Sequence, residues 1–289
     1  MITQMHHAGY QIDELCAAFG VSRSGYYAHL RKPEGRRHCE DQRLRPQIAA
    51  AFAASRQTSG SPRLRAQLAR QQGLGISRER IARLMRDPGL RPLQKRAFIP
   101  RTTQADPAAH PAPNLLLQRP PTTAPDQVWV SDITYIPTRE GWLYLAAVMD
   151  LHTRRILGWA TAPHLRNELV AEALQRARFT RSGSDLSGTI AHSDRGCQYT
   201  SGAYRHDLKL LQMTQSMSRT ANCYDNATME SFWASLKAEA FHCLPGTHHQ
   251  ARLLIHDYID TFYNTHRLHS SLDFQSPLDF ERSLIQSLD

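Results

Sequence analysis

The sequence predicts an α/β domain built on a mixed sheet and preceded by all-α helix-turn-helix modules, and three observations lead there. From Gln127 onward, β-branched and aromatic residues gather in strand-length runs that later alternate with helix-length ones. In the first hundred residues the apolar positions recur at helical spacing instead. Between the two lie residues 101–125, rich in Pro, Ala and Thr, a composition that resists helix and sheet and reads as a linker.

Ile12, Leu15, Cys16 and Phe19 follow helical spacing, Gly20 is placed to end that helix, and Ser22 is placed to cap a second one running to about Leu30. A short helix, a Gly-containing turn and a capped second helix form a helix-turn-helix pattern over residues 1–35. Arg23 and Ser24, at the start of the second helix, are then candidates for DNA contact, while Tyr26, Tyr27 and Leu30 read as core. A packing hairpin is the competing reading of so short a fragment. After a charged, helix-breaking joint at residues 31–37, a three-helix unit is expected over 40–100. Its helices cover about Gln42 to Ser55, Ser61 as cap with Pro62 in the first turn to near Gly73, and Ser77 to just before Pro88-Gly89. Arg78, Arg80, Arg83 and Arg86 lie along the last helix, a way to track a DNA backbone.

Charge supports that reading. Residues 1–100 hold 18 Lys+Arg against 7 Asp+Glu, whereas the remainder holds 17 against 19, so the formal net charge of +9 is an N-terminal property. A basic segment of this kind binds polyanions, with an affinity that falls as salt rises. The plain alternative is a set of solvated arginines. The five cysteines are scattered without a Cys-x-x-Cys pair, which disfavours a disulfide framework and a structural zinc site. No apolar run approaches a membrane span and no signal segment is visible, so a cytoplasmic chain without membrane association is expected.

In the core, expected over 126–285, three consecutive strands are predicted at Val128–Ile136, Trp142–Met149 and Arg155–Thr161. A helix at Leu165–Phe179, a strand at Thr189–His192, a helix at Ala203–Leu210 and a short strand at Met213–Ser216 follow. Both faces of Val128–Ile136 are largely apolar, so it reads as a central strand, and Asp132 faces the same way as Val128, Val130 and Ile136. A carboxylate there is costly unless it is paired or holds a metal. Asp194 follows a short apolar run and would sit at the carboxyl end of another strand, while Glu230 lies in a helix at about 226–237. Any one of these acids alone is better explained as a solvated or salt-bridged side chain.

The motifs Gly20-Val21-Ser22-Arg23-Ser24-Gly25-Tyr26-Tyr27, Trp129-Val130-Ser131-Asp132-Ile133-Thr134-Tyr135, His192-Ser193-Asp194-Arg195-Gly196, Asn222-Cys223-Tyr224-Asp225-Asn226-Ala227 and Tyr263-Asn264-Thr265-His266-Arg267-Leu268-His269-Ser270-Ser271-Leu272 occur in this order, with thirty-five residues between Asp194 and Glu230. In this the chain resembles the DDE transposases and retroviral-type integrases, most closely the OrfB products of bacterial insertion sequences. The resemblance implies a ribonuclease H-like core and catalysis by Asp132, Asp194 and Glu230 as ligands of two Mg²⁺ ions, with Mn²⁺ as a substitute. It implies DNA contacts from Asn226 and Lys237, which helical geometry puts on the Glu230 face. A mixed role, DNA contact or core closure, is expected of Arg267. It further implies double-stranded DNA as substrate, a homo-oligomer on DNA, an upstream OrfA product or fusion as partner, and a nucleoid location. Asp150 is expected to be structural, with a fourth-acid role as the alternative, and the histidines around 242–249 are expected in a loop. The rival functions are a nuclease of the same fold that stops at hydrolysis and a catalytically idle DNA-binding regulator.

Overall fold

The computed structural model describes residues 1–31, 35–93, 112–117, 119–218 and 227–286. The chain divides into two compact units, Met1–Ala50 and Ala51–Asp289. The first contains α1 (Ile2–His7), α2 (Ile12–Ala18), α3 (Arg23–Arg31) and most of α4 (Arg36–Ala54). Gly20 takes φ +63°, and the Ser22 hydroxyl accepts from the Gly25 amide at 3.0 Å, so the turn and cap expected there are formed. Helix α1 was not foreseen. Helix α4 starts six residues before the expected Gln42 and runs through Pro46, where the missing amide removes one bond to the carbonyl four residues earlier.

In the second unit, α5 (Ser61–Gln72) is capped by Gly60, so Ser61 is its first residue rather than its cap; Gly73 at φ +66° closes it. Helix α6 (Arg78–Arg86) is capped by Ser77, whose side chain accepts from the Arg80 amide. Leu64 and Leu68 of α5 and Ile81, Leu84 and Met85 of α6 are buried. Two arginines tie this region to the far end of the chain. Arg56 pairs with Asp257, donates to Thr261 at 3.3 Å, and lies 4.8 Å from the Phe262 ring centroid. Arg70 donates to the main-chain oxygens of Phe274 at 2.8 Å and Asp273 at 3.1 Å.

The sheet has the order β3-β2-β1-β4-β5, with β1 Val128–Thr138, β2 Gly141–Asp150, β3 Ile156–Ala162, β4 Ile190–Ser193 and β5 Thr214–Met217. The first three strands form an antiparallel meander, and β1, β4 and β5 are parallel neighbours. This is the expected mixed sheet with β1 at its centre. Helices α7 (Asn167–Thr180), α8 (Cys197–Thr200) and α9 (Gly202–Leu210) link β3, β4 and β5; α10 (Ala227–Ala240), α11 (His248–His256), a π-helical stretch Asp257–Tyr263 and α12 (Pro277–Gln286) follow. One face of β1, with Val128, Val130 and Ile136, packs on Met229, Phe232, Trp233 and Leu236 of α10 and on the π-helical stretch. The other, with Trp129, packs on α7 and on Tyr199 and Tyr204. Both faces are therefore covered, as the doubly apolar sequence of β1 requires.

Strand β3 meets α7 at Gly158, where an added Cβ would lie 2.3 Å from both the Ala173 carbonyl oxygen and the Ala177 amide nitrogen. Neither backbone can move without dragging its element. Gly158→Ala should cost about 1–3 kcal/mol through overpacking, read as a shift in denaturation midpoint with an unchanged slope.

The expected linker is packed where it is described. The Pro113 carbonyl accepts from the Met217 amide on the outer edge of β5, the Leu115 amide donates to the Ser216 hydroxyl at 3.0 Å, and Leu115 and Leu116 lie against the core. As the composition argues, the described residues of this segment form neither helix nor strand; Leu115 and Leu116 bring apolar area that packs it against the core, and it covers a sheet edge.

Candidate active site

The last paired residues of β1 and β4 are Val130 and His192. A step of two along each chain reaches Asp132, still within β1, and Asp194, the first residue past the end of β4, so both acids follow the parallel pairing of neighbouring strands, and the Asp194 carboxylate acts on Asp132. The Asp132 side chain points toward α10: its Oδ2 accepts from the Trp233 indole nitrogen at 2.9 Å, and its Oδ1 accepts from the Ile133 amide at 2.8 Å. Asp194 turns its Oδ1 back onto the Gly196 amide at 2.9 Å. A Cβ at Gly196 would lie 3.0 Å from the same oxygen, so a larger residue there would require the Asp194 carboxylate to shift by a few tenths of an ångström.

Burial and the facing Asp194 carboxylate push the Asp132 carboxyl up to about 7, against the pull of the Trp233 and Ile133 hydrogen bonds; Glu230 adds a smaller upward push. The site thus carries more negative charge than it can hold comfortably. Glu230 is exposed in the first turn of α10. Among the described residues no group of three or more His, Cys, Asp or Glu side chains is gathered tightly enough for one ion. The acids stand as an Asp132–Asp194 pair with Glu230 as a weaker third charge. An all-oxygen set with surplus negative charge is the donor chemistry a hard divalent cation such as Mg²⁺ takes.

Lys237 lies two turns beyond Glu230 on α10; burial pulls its ammonium down and the Asp132 carboxylate pulls it back up, so it sits in the field of the acids. Asn226 lies outside the described residues. Arg267 is a correction. It is 5% exposed and gives its Nε and one Nη to the Glu239 carboxylate, both at 2.7 Å, with the Tyr258 hydroxyl on the same carboxylate. A guanidinium spent on a buried partner has nothing to offer a phosphate, so of the two expected roles it closes the core. Arg23 is exposed and paired with Asp13, and Ser24 is exposed. On α6, Arg78 and Arg86 are exposed and Arg80 and Arg83 half-buried.

Asp150 accepts from the Asp126 and Thr153 amides and the Thr153 hydroxyl, building the turn into β3 and leaving no oxygen turned to Asp132. His192 bonds the Ser216 hydroxyl at 2.9 Å. His248 and His249 open α11 under a Thr247 cap rather than lying in a loop; Thr247 followed three residues later by Gln250 was the missed start signal. Two site residues escaped the sequence reading. Trp233, an aromatic in the Glu230 helix, reads from sequence as core filling, although a buried indole N–H needs a partner. Arg154, at φ +61°, donates to the Thr228 hydroxyl at 2.6 Å and fastens the β2–β3 turn to the first turn of α10; nothing in the sequence marks it.

Residues 122–223 and 211–277 each match an Integrase core domain, and residues 40–98 match an HTH-like domain. A 31 kDa protein of insertion element IS600 from Shigella sonnei is 43% identical over 273 residues, 94% of this chain and 99% of its own. Transposase InsF of insertion sequence IS3A from Escherichia coli strain K12 is 37% identical over 292 residues, 96% of either chain. The chain belongs to the IS3 family of insertion-sequence transposases. As an IS3-family transposase it is a polynucleotidyl transferase, and its mixed sheet is the ribonuclease H-like integrase core. Among solved structures, the HTLV-2 integrase catalytic core domain in complex with magnesium overlaps 55% of this chain and 98% of its own at TM-score 0.42 and 14% identity. No helix of the described residues in this IS3-family transposase is long and apolar enough to cross a membrane.

Proposed function

We propose that this IS3-family transposase nicks the ends of its insertion sequence and transfers the freed strands, using Asp132, Asp194 and Glu230. Water attacks the phosphodiester at the element end, breaks its P–O3′ bond and releases a 3′-hydroxyl. That hydroxyl attacks a phosphodiester at the other end, forming a new P–O bond as the strand beyond it leaves as a 3′-hydroxyl. A further hydrolysis frees 3′-hydroxyls again to attack target DNA, whose own 3′-oxygen leaves. Two Mg²⁺ ions, with Mn²⁺ as a substitute, would be held by the three acids and would supply charge stabilisation on the phosphoryl and leaving oxygens. Glu230 completes the set by swinging inward from its exposed position. Lys237 binds a phosphate near the cut, and Asn226, four residues before Glu230 in the sequence, adds a DNA contact. Arg78, Arg80, Arg83 and Arg86 hold the DNA backbone, with Arg23 and Ser24 adding contacts from the N-terminal module. Residues 40–100 and 126–285 act as the DNA-reading and catalytic modules. Because two ends are handled together, the working form is a homo-oligomer on DNA in the bacterial nucleoid, joined or fused to an upstream OrfA product.

The observation that carries this reading is the placing of Asp132 and Asp194 just past the parallel pairing of β1 with β4, where the Asp194 carboxylate helps burial raise the Asp132 carboxyl to about 7. The experiment is a strand-transfer assay with a labelled element end and Mg²⁺. Joined product is expected; shortened product alone means a nuclease, and DNA binding with no Mg²⁺-dependent cleavage means a regulator.

A further inference from the structure

We propose that Trp233 is a positioning residue for Asp132: its indole N–H fixes the carboxylate in the orientation that accepts a divalent cation. The proposal rests on the reading of Asp132 as a metal ligand.

Trp233 is 6% exposed, with its ring 4.8 Å from that of Phe232 inside the core. A ring held in this way has one polar atom, and a buried N–H left without an acceptor is costly. Its acceptor is Asp132 Oδ2 at 2.9 Å, while Oδ1 is engaged by the Ile133 amide at 2.8 Å. Both donors sit on rigid supports, one on α10 and one on β1 itself, so the carboxylate cannot rotate without losing a bond. An ionised carboxylate offers about four lone-pair sites. Two N–H donors therefore leave a lone pair on each oxygen for a cation.

The indole also links two elements that bring acids to the site. Trp233 lies three residues after Glu230 and four before Lys237, spacings that share one helix face. The helix that carries Glu230 thus grips Asp132 directly, and that contact sets the separation between β1 and α10 where the acids must act together. Plain core filling explains the ring, but it does not require the N–H to aim at the one acid on that face of β1.

The test is calorimetric titration of the full chain with Mn²⁺ alone, without DNA, for the wild type, Asp132→Asn and Trp233→Phe. Phe keeps an aromatic ring in the core and removes the donor. Partners that orient a ligating side chain commonly change metal affinity by about 10–100-fold when removed, so Trp233→Phe should weaken Mn²⁺ binding by that factor and Asp132→Asn should abolish it. If Asp132→Asn abolishes binding while Trp233→Phe binds within about twofold of wild type, the positioning role is overturned and the role of Asp132 stands. If Asp132→Asn binds like wild type, the metal reading itself falls and the proposal with it. Should Trp233→Phe fail to fold, the wild type decides. Mg²⁺ should change its tryptophan emission and should not change that of Asp132→Asn; an emission that stays fixed while calorimetry reports saturation overturns the proposal.

Discussion

Asp132→Asn should abolish cleavage and joining of element ends, by about 10³-fold or more, while making the folded chain more stable at pH 8. The rate loss follows from removing a carboxylate central to charge stabilisation in phosphoryl transfer, worth several kcal/mol at about 1.4 kcal/mol per tenfold. The stability gain follows from linkage. The Asp132 carboxyl moves from an ordinary 3.8 to about 7 on folding, chiefly through burial and Asp194. Between those values the folded chain holds a proton that the unfolded chain lacks, so stability falls as pH rises through the window and stays low above it. The amide of Asn carries no such dependence. Thermal melts without divalent metal should therefore show the variant above wild type at pH 8, with the gap shrinking as pH falls through the window and gone only below the unfolded value of 3.8, where both states of the wild type are protonated. A gap independent of pH, or strand joining retained by the variant, would remove Asp132 from the centre of the site.

Glu239→Gln should be among the most damaging single changes to stability. Arg267 and Glu239 are each 5% exposed at the side chain and share two bonds of 2.7 Å, with Ser235 and Tyr258 as further partners. Taking the charge from one partner leaves a buried guanidinium uncompensated, a change that costs about 3–5 kcal/mol, whereas replacing both partners by apolar residues of similar volume is often neutral. Denaturation of the two single variants and of the double variant Glu239→Leu/Arg267→Met measures the pair directly. A loss below about 1 kcal/mol in Glu239→Gln would contradict the arrangement. Arg267→Met should leave the salt dependence of DNA binding unchanged, because a lost phosphate contact would lower the logarithmic slope by about one.

These two cases mark how far the sequence was legible. The fate of Asp132 could be read from its neighbours, because alternation along a strand fixes which way a side chain faces, and an acid among valines has few ways to be tolerated. Asp194 and Glu230 were found through spacing and motif, and the sheet register then explained the first of them. Arg267 showed where such reading stops. Its partner lies 28 residues earlier, on α10, and no local pattern tells an arginine that meets phosphate from one that meets a buried glutamate. Strand limits and caps were largely local matters, as at Ser22, Ser77 and Gly73. The start of helix α4, which runs through Pro46, and the packing of the stretch from Ala112 were not, since both depend on tertiary burial that no local pattern shows.

Arg56 and Arg70 differ in what they hold. Arg56 depends on side chains, chiefly the Asp257 carboxylate with the Thr261 hydroxyl and the Phe262 ring beside it, so point changes there weaken it. Arg70 grips only peptide oxygens, offered by Asp273 and Phe274 at φ +49° and +55°. Every amino acid carries such an oxygen, so drift in side-chain identity at 273 and 274 leaves this anchor intact as long as the loop keeps its path. One half of the bracket is therefore exposed to point mutation on both sides and the other on one side only, and asparagine or glycine, which accept left-handed backbone, are the replacements that should pass there unnoticed.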